Sequence, residues 1–165
     1  MIRAIVLTAL TLAVLLIAAG CTGTTTSKES TPVTPGPVPG TWIEVEGDAD
    51  TIRIPLGTIQ EYVNTHFSLQ MNGERLDYMA YLLDGTLHIR ANVCPPCRSR
   101  GFALDGEVLV CDACATTFDA SDGSGIEGAC VDYPKAAVAY EMGDETIAVS
   151  VNGLVKAFEE TVIPG

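Results

Sequence analysis

The chain has 165 residues, with 21 acidic against 9 basic side chains and a formal net charge of −12. No basic cluster interrupts that acidic balance, so the surface repels phosphate backbones and anionic headgroups alike. Nucleic acid is excluded as a partner, and attachment to a membrane requires something covalent.

Residues 1–21 read as a lipoprotein signal peptide. Arg3 is followed by a mostly apolar run of about fifteen residues, short for a spanning helix and suited to a signal-peptide core. The run ends in Ala18-Ala19-Gly20-Cys21, which resembles a bacterial lipobox with Ala18 where leucine is commonest. Cys21 is therefore the expected lipidation site, and the protein is expected to be an extracytoplasmic, membrane-anchored lipoprotein. Residues 22–40 are rich in Thr, Ser, Pro and Gly and nearly free of large apolar side chains. Such a stretch cannot bury enough surface to offset its ordering entropy, and reads as a disordered spacer.

Residues 41–165 form the expected folded domain. Alternation of apolar and polar residues predicts strands at 42–45 and 51–56, with Pro55 ending the second. A short helix is predicted at 58–65, capped by Thr58 and packing Ile59 against Val63. Alternation returns at 67–71. Asn72-Gly73 and Asp84-Gly85 are turn signals flanking strands at 75–83 and 86–93. Further strands are predicted at 107–110, 136–141 and 146–151. The fold class is thus mainly β, a small domain with one short helix, without internal repeats or a second domain, and with turns too frequent for a parallel sheet.

The informative stretch is Cys94-Pro-Pro-Cys97, thirteen residues, Cys111-Asp-Ala-Cys114, and then a lone Cys130. Two residues between cysteines let one tight turn aim both sulfurs at a single ion, and two such knuckles close a tetrahedron of thiolates. Cys94, Cys97, Cys111 and Cys114 are the expected metal ligands. Three readings of these sulfurs remain open: an iron–sulfur or mononuclear iron site, a structural zinc site, and disulfides formed outside the cytoplasm. Export of a folded, cluster-bearing protein uses leaders with two adjacent arginines, and only Arg3 is present. A chain crossing unfolded acquires its metal outside, which favours zinc, single iron, or iron supplied by the pathway served.

Other residues are weighed against plainer roles. Cys130 makes the count in the domain odd, and is a fifth ligand, a resolving thiol or a small buried hydrophobe. His66 reads as a surface or packing residue and His88 as a solvent-facing strand residue. Arg98 and Arg100 would either offset thiolate charge or stand exposed on a loop. Tyr133-Pro134 would shield the site or be ordinary core and turn. No carboxylate pair, phosphate-binding glycine loop or serine–histidine arrangement supplies catalytic machinery. A thiol–disulfide oxidoreductase using Cys94 and Cys97 is the least favoured alternative, because Pro95 and Pro96 remove backbone N–H groups that stabilise a thiolate.

Asp50-Thr-Ile-Arg-Ile-Pro-Leu56, the stretch around His66-Phe67, Leu83 to Ala91 entering Cys94-x-x-Cys97, and Val110-Cys-x-x-Cys114 with Phe118 together resemble the FtrD-like membrane iron–sulfur domain family. Gly128-Ala-Cys130-Val-Asp-Tyr-Pro134 is similar to a further element of that family, with departures at Ala129, Val131 and Asp132. The resemblance spans residues 41–161. It implies an iron–sulfur centre, raises Cys130 as a further candidate cofactor ligand, and implies a redox or iron-transport partner protein. Gly106 to Asp119 also resembles the second metal-binding loop of Rieske proteins, with Cys114 where a histidine would stand. The expected site is therefore Rieske- or zinc-ribbon-like, in a membrane-anchored protein serving electron transfer or iron handling. The alternative is a zinc- or disulfide-stapled module that binds a partner protein.

Overall fold

A computed structural model of the protein describes residues 36–165. The expected leader, the lipidation site Cys21 and most of the expected spacer lie outside the described residues.

Twelve short strands and two helices follow in chain order: β1 (Thr41–Trp42), β2 (Glu46–Gly47), β3 (Thr51–Pro55), α1 (Leu56–Tyr62), β4 (Asn64–Met71), β5 (Glu74–Leu83), β6 (Thr86–Ala91), β7 (Phe102–Asp105), β8 (Val108–Cys111), β9 (Thr117–Asp119), β10 (Gly125–Glu127), β11 (Tyr140–Met142), β12 (Thr146–Ser150) and α2 (Val151–Thr161). They form three four-stranded sheets, ordered β1-β4-β5-β6, β10-β9-β8-β7 and β11-β12-β3-β2. All pairings are antiparallel except the short β1–β4 pair. The expected mainly-β class is the observed one.

The sheet β1-β4-β5-β6 has two unlike faces, because alternate residues on a strand point to opposite sides. One face carries Phe67, Leu76, Tyr78, Ala80, Leu87 and Ile89, which pack with Ile52, Ile54, Ile147 and Val149 of the third sheet and with both helices. The other face carries Met79 and Tyr81, which belong to a separate core containing Phe102, Leu109, Phe118 and the cysteines. That second face is also unusually polar, with Asn64, His66, Asp77, Arg90 and Asn92 all buried.

Asn64 and Arg90 of this face, with Tyr81, fasten the cysteine-bearing lobe by its backbone. Asn64 Nδ2 donates to the carbonyls of Val38 and Phe102, both at 3.0 Å. The Tyr81 hydroxyl donates to Ala120 O at 2.6 Å. Arg90 donates to the carbonyls of Ser121, Asp122 and Lys135 at 2.6–2.9 Å and to the Tyr81 hydroxyl. Asp77 takes Arg75 Nε at 2.7 Å and faces Arg100 Nε at 2.8 Å, the second contact lacking hydrogen-bond alignment. Buried polar groups cost stability unless paired, so this face specifies one seating of the lobe.

Four local expectations are corrected. The first helix starts at Leu56 rather than Thr58, with Pro55 at the N-cap and no side-chain cap bond. It stops at Val63, whose φ of 64° breaks the helix, so Asn64 and Thr65 open β4 instead. A second helix, α2, follows β12 directly, which ends at Ser150 and not Val151. Val151, Leu154 and Ala157 are buried on one side of it, at the three- and four-residue spacing of a helix face. Finally, Val38, inside the expected spacer, pairs with Leu104 through bonds of 2.7 and 2.9 Å, so the fold begins ahead of Thr41.

Candidate metal centre

The two Cys-x-x-Cys segments fold into matching knuckles. In the first, Cys94 N–H donates to Ser99 O at 2.9 Å; in the second, Cys111 N–H donates to Thr116 O at 2.9 Å. The residue after each second cysteine, Arg98 or Ala115, takes a positive φ of 59° or 55°. Non-glycine residues in that region are strained, on the order of 1 kcal/mol each, and such strain clusters at ligand-holding loops. The β7–β8 hairpin sets the spacing between knuckles: Phe102 lies opposite Cys111, and Asp112 N–H donates to Gly101 O at 3.0 Å.

Cys130 completes the group. Its N–H donates to Thr116 Oγ1 at 3.3 Å, and the same oxygen lies 3.2 Å from the Cys114 sulfur. The sulfurs of Cys94, Cys97, Cys114 and Cys130 all lie within 4.8 Å of one another. The Cys111 sulfur lies outside that tightest set but only 3.6 Å from Cys97, and Cys114 is 3.8 Å from Cys130. Five sulfurs therefore converge, with Cys130 nearer the middle than Cys111.

The site is graded from dry to wet. Cys94, Cys111 and Cys130 are buried, while Cys97 and Cys114, the second cysteine of each knuckle, are partly exposed. Burial pushes the Cys94 and Cys111 thiols up from the ordinary value, since a desolvated thiolate is unfavourable, and at Cys94 it does so against the charge of Lys135. For Cys114, burial also pushes upward but is outweighed. Hydrogen bonds from the hydroxyl and backbone of Thr116, and from Cys111 and Cys97, bring it down to about 6.

Lys135, which no sequence motif singles out, is wholly buried beside this group. Its Nζ donates to Val93 O at 2.9 Å and Tyr133 O at 2.7 Å. The ammonium also lies over the rings of Phe118 and Phe102, 4.3 and 5.3 Å from their centroids. Burial lowers its pKa to about 8, while the charges of Cys94, Cys111, Cys130 and Cys97 oppose that shift. The one signal for it in the sequence is a lone cation preceding the apolar stretch Ala136 to Ala139.

The remaining candidates fall elsewhere. His66 is buried against Trp42, with ring centroids 5.2 Å apart, and His88 stacks on Tyr81 at 5.5 Å. Neither joins the sulfur group, so His66 is a packing residue, and His88 is half-buried rather than solvent-facing. Arg100 turns to Asp77 and Arg75 O, and Arg98 is exposed. Tyr133 donates its N–H to Cys130 O at 3.2 Å, so it braces that loop by its backbone.

The donor set suits a soft metal. It is all sulfur, with no carboxylate or imidazole in the group, and thiolates select zinc, copper(I) and iron–sulfur centres. The buried cation Lys135 has no ion-paired carboxylate among the described residues, and a thiolate-bound metal carries the net negative charge that would balance it. An iron–sulfur or other metal cofactor fits these residues.

Two solved structures are similar over about half of the chain. The ferredoxin–oxygenase complex of carbazole 1,9a-dioxygenase is 17% identical with a TM-score of 0.44, covering 52% of this chain and 80% of that one. A ferredoxin from Sphingomonas yanoikuyae B1 is 16% identical with a TM-score of 0.43, covering 50% and 81%. No curated protein matches the chain. No helix among the described residues is long and apolar enough to cross a membrane. A family described as "Membrane iron-sulfur containing protein FtrD-like" matches residues 34–160, and the chain belongs to that FtrD-like family.

Proposed function

We propose that this protein carries electrons, or hands on iron, at the outer face of a membrane, through an iron–sulfur centre held by its cysteines. The observation that carries the reading is the convergence of five sulfurs on one half-buried site with no other ligand type among them. Cys94, Cys97, Cys114 and Cys130 would hold the group, with Cys111 in reach of Cys97 as the alternative fourth or fifth ligand. When bound, such a centre supplies one-electron chemistry at a potential set by its charge, hydrogen bonds and exposure.

The chain's own residues suit that task. Phe102, Phe118, Leu109 and Met79 keep water from the buried sulfurs. Cys97 and Cys114 reach the surface and offer a short path to a redox or iron-transport partner. Hydrogen bonds from Asn64, Tyr81 and Arg90 tie the backbone of the lobe to the sheet β1-β4-β5-β6. Attachment through a lipid on Cys21, with the Thr- and Pro-rich segment ahead of Val38 as a spacer, would keep the domain close to a membrane-bound partner.

One observation favours a second reading. Thiolates about 2.3 Å from a single tetrahedral ion lie roughly 3.8 Å apart. The Cys114–Cys130 separation of 3.8 Å matches that spacing, and the four-sulfur group stays within 4.8 Å, so a single iron or zinc ion also suits it. Metal and acid-labile sulfide analysis of the full-length protein, purified from its own membranes without oxygen, separates the two. Iron with matching sulfide, and a visible spectrum that bleaches reversibly on reduction, is expected. Stoichiometric zinc would end the redox reading and leave a structural module. Iron without sulfide would point to a single-ion carrier.

A further inference from the structure

Lys135 is an ammonium enclosed by protein with no carboxylate beside it among the described residues. Its two carbonyl acceptors are not arbitrary. Val93 immediately precedes Cys94, and the Tyr133 N–H is bonded to Cys130 O. The rings flanking the ammonium lie on the hairpin strands of the second knuckle: Phe102 pairs with Cys111, and Phe118 pairs with Leu109. The charge thus sits at the junction of all three cysteine-bearing segments, inside the apolar core that holds the sulfurs.

A buried charge of this kind is tolerated only when something of opposite sign shares its low-dielectric surroundings. Two aromatic faces and two carbonyls supply partial negative charge, and carbonyls would be satisfied as well by a neutral donor. The cysteines, as metal-bound thiolates, are the full anions available. We propose that Lys135 is the counter-charge of the sulfur centre, favouring the metal-loaded state and, in an iron–sulfur centre, the more negative reduced form over the oxidised one. The redox half rests on the iron–sulfur reading; the metal-binding half does not.

The test compares Lys135→Gln, whose amide can still donate to carbonyls but carries no charge, with Lys135→Arg, which keeps the charge. In the full-length protein, Co²⁺ serves as the probe, read by its thiolate charge-transfer absorption in competition with a chelator. Lys135→Gln is expected to weaken Co²⁺ binding roughly tenfold, the lower end for loss of a group supporting metal ligands, while Lys135→Arg loses clearly less. In the iron-loaded protein, the reduced-to-oxidised ratio of Lys135→Gln at a fixed potential is expected to fall about tenfold, 59 mV for one electron. Unchanged Co²⁺ affinity and potential in a folded Lys135→Gln protein would overturn the proposal. Equal losses in the Gln and Arg variants would overturn it too, leaving Lys135 as a clamp between Val93 and Tyr133. Should Lys135→Gln fail to fold, Lys135→Met fills the slot between the rings without charge or donor, and Co²⁺ affinity equal to that of Lys135→Arg would overturn the proposal. If the native protein holds no iron, the Co²⁺ measurement still decides the counter-charge, and the iron–sulfur reading fails separately.

Discussion

The sulfurs of Cys114 and Cys130 lie 3.8 Å apart although sixteen positions separate them in the chain. Thr116 brings them together: its side-chain oxygen accepts the Cys130 N–H and contacts the Cys114 sulfur. Cys130 is thereby a member of the tightest sulfur group, whereas Cys111 lies outside it, 3.6 Å from Cys97 and within hydrogen-bonding reach of Cys114.

Ligand substitution should follow that ranking. Cys130→Ser is expected to lose bound metal to a chelator as readily as Cys114→Ser does, with affinity falling by at least the roughly 10- to 100-fold seen for supporting residues alone. Cys111→Ser should lose less. The measurement is metal content per chain after a timed chelator challenge. Metal retention by Cys130→Ser equal to the unmodified protein would remove Cys130 from the ligand set and return Cys111 to it.

Much of this centre is legible in the amino-acid sequence. Two Cys-x-x-Cys segments thirteen residues apart announce two knuckles, because the turn geometry is local and the hairpin between them is marked by Asp105-Gly106. Cys130 and Lys135 are not legible in the same way. One is recruited by a hydroxyl on another segment, and the other is buried by rings that are distant in sequence. Alternation misleads in one respect. Polar residues on β4, β5 and β6 look solvent-facing when one sheet face is assumed wet, yet here a second lobe covers them. The apolar spacing of α2, at Val151, Leu154, Val155 and Phe158, is present, but Gly153 and the β-branched Val151 and Val155 weaken helix propensity and the preceding alternation masks it.

Gly128 offers a way to disturb the site without touching a ligand. It has a φ of 119°, and a Cβ there would press on the Thr116 side chain at 2.6 Å. Gly128→Ala should therefore push Thr116 away from both Cys114 and Cys130. The expected result is a faster metal release, by about tenfold, together with a loss of roughly 1–3 kcal/mol in stability from backbone strain. Gly73→Ala, also at a positive φ (83°) but with nothing within 4 Å, is the control. If both variants release metal at the unmodified rate, the Thr116 bridge does not govern retention.

The metal-free, reduced protein should show one cysteine far more reactive than the others. Cys114 is partly exposed and its pKa lies at about 6, so it is mainly thiolate at neutral pH. Cys94 and Cys111 are buried and pushed upward, and stay protonated. Limited alkylation with iodoacetamide at pH 7, followed by peptide mapping, should label Cys114 first. The labelling rate should fall as pH drops through 6. First labelling at Cys97, or a rate that rises only above pH 8, would contradict this ordering.

His66 makes the domain sensitive to acid independently of its cysteines. Burial holds its pKa down at about 4, against the opposing influence of the Phe102 carbonyl and the Asp77 carboxylate, and its Nε2 has no hydrogen-bond partner. Gly40 packs directly on the ring, where a Cβ would clash, so the imidazole cannot swing towards water to accept a proton. In the unfolded chain the same group titrates near 6.5. The unfolded state thus binds the proton first, and the stability contributed by neutral His66 is complete above about pH 6.5. It declines as pH falls from 6.5 towards 4 and is spent below that. The total is on the order of 3 kcal/mol for a shift of this size. Denaturant titrations of the reduced, metal-free protein between pH 8 and 4 should show that decline, and His66→Gln should flatten it while lowering stability at pH 8. Parallel pH profiles for the two proteins would mean that acid sensitivity arises elsewhere, and that the buried imidazole stays neutral without consequence for folding.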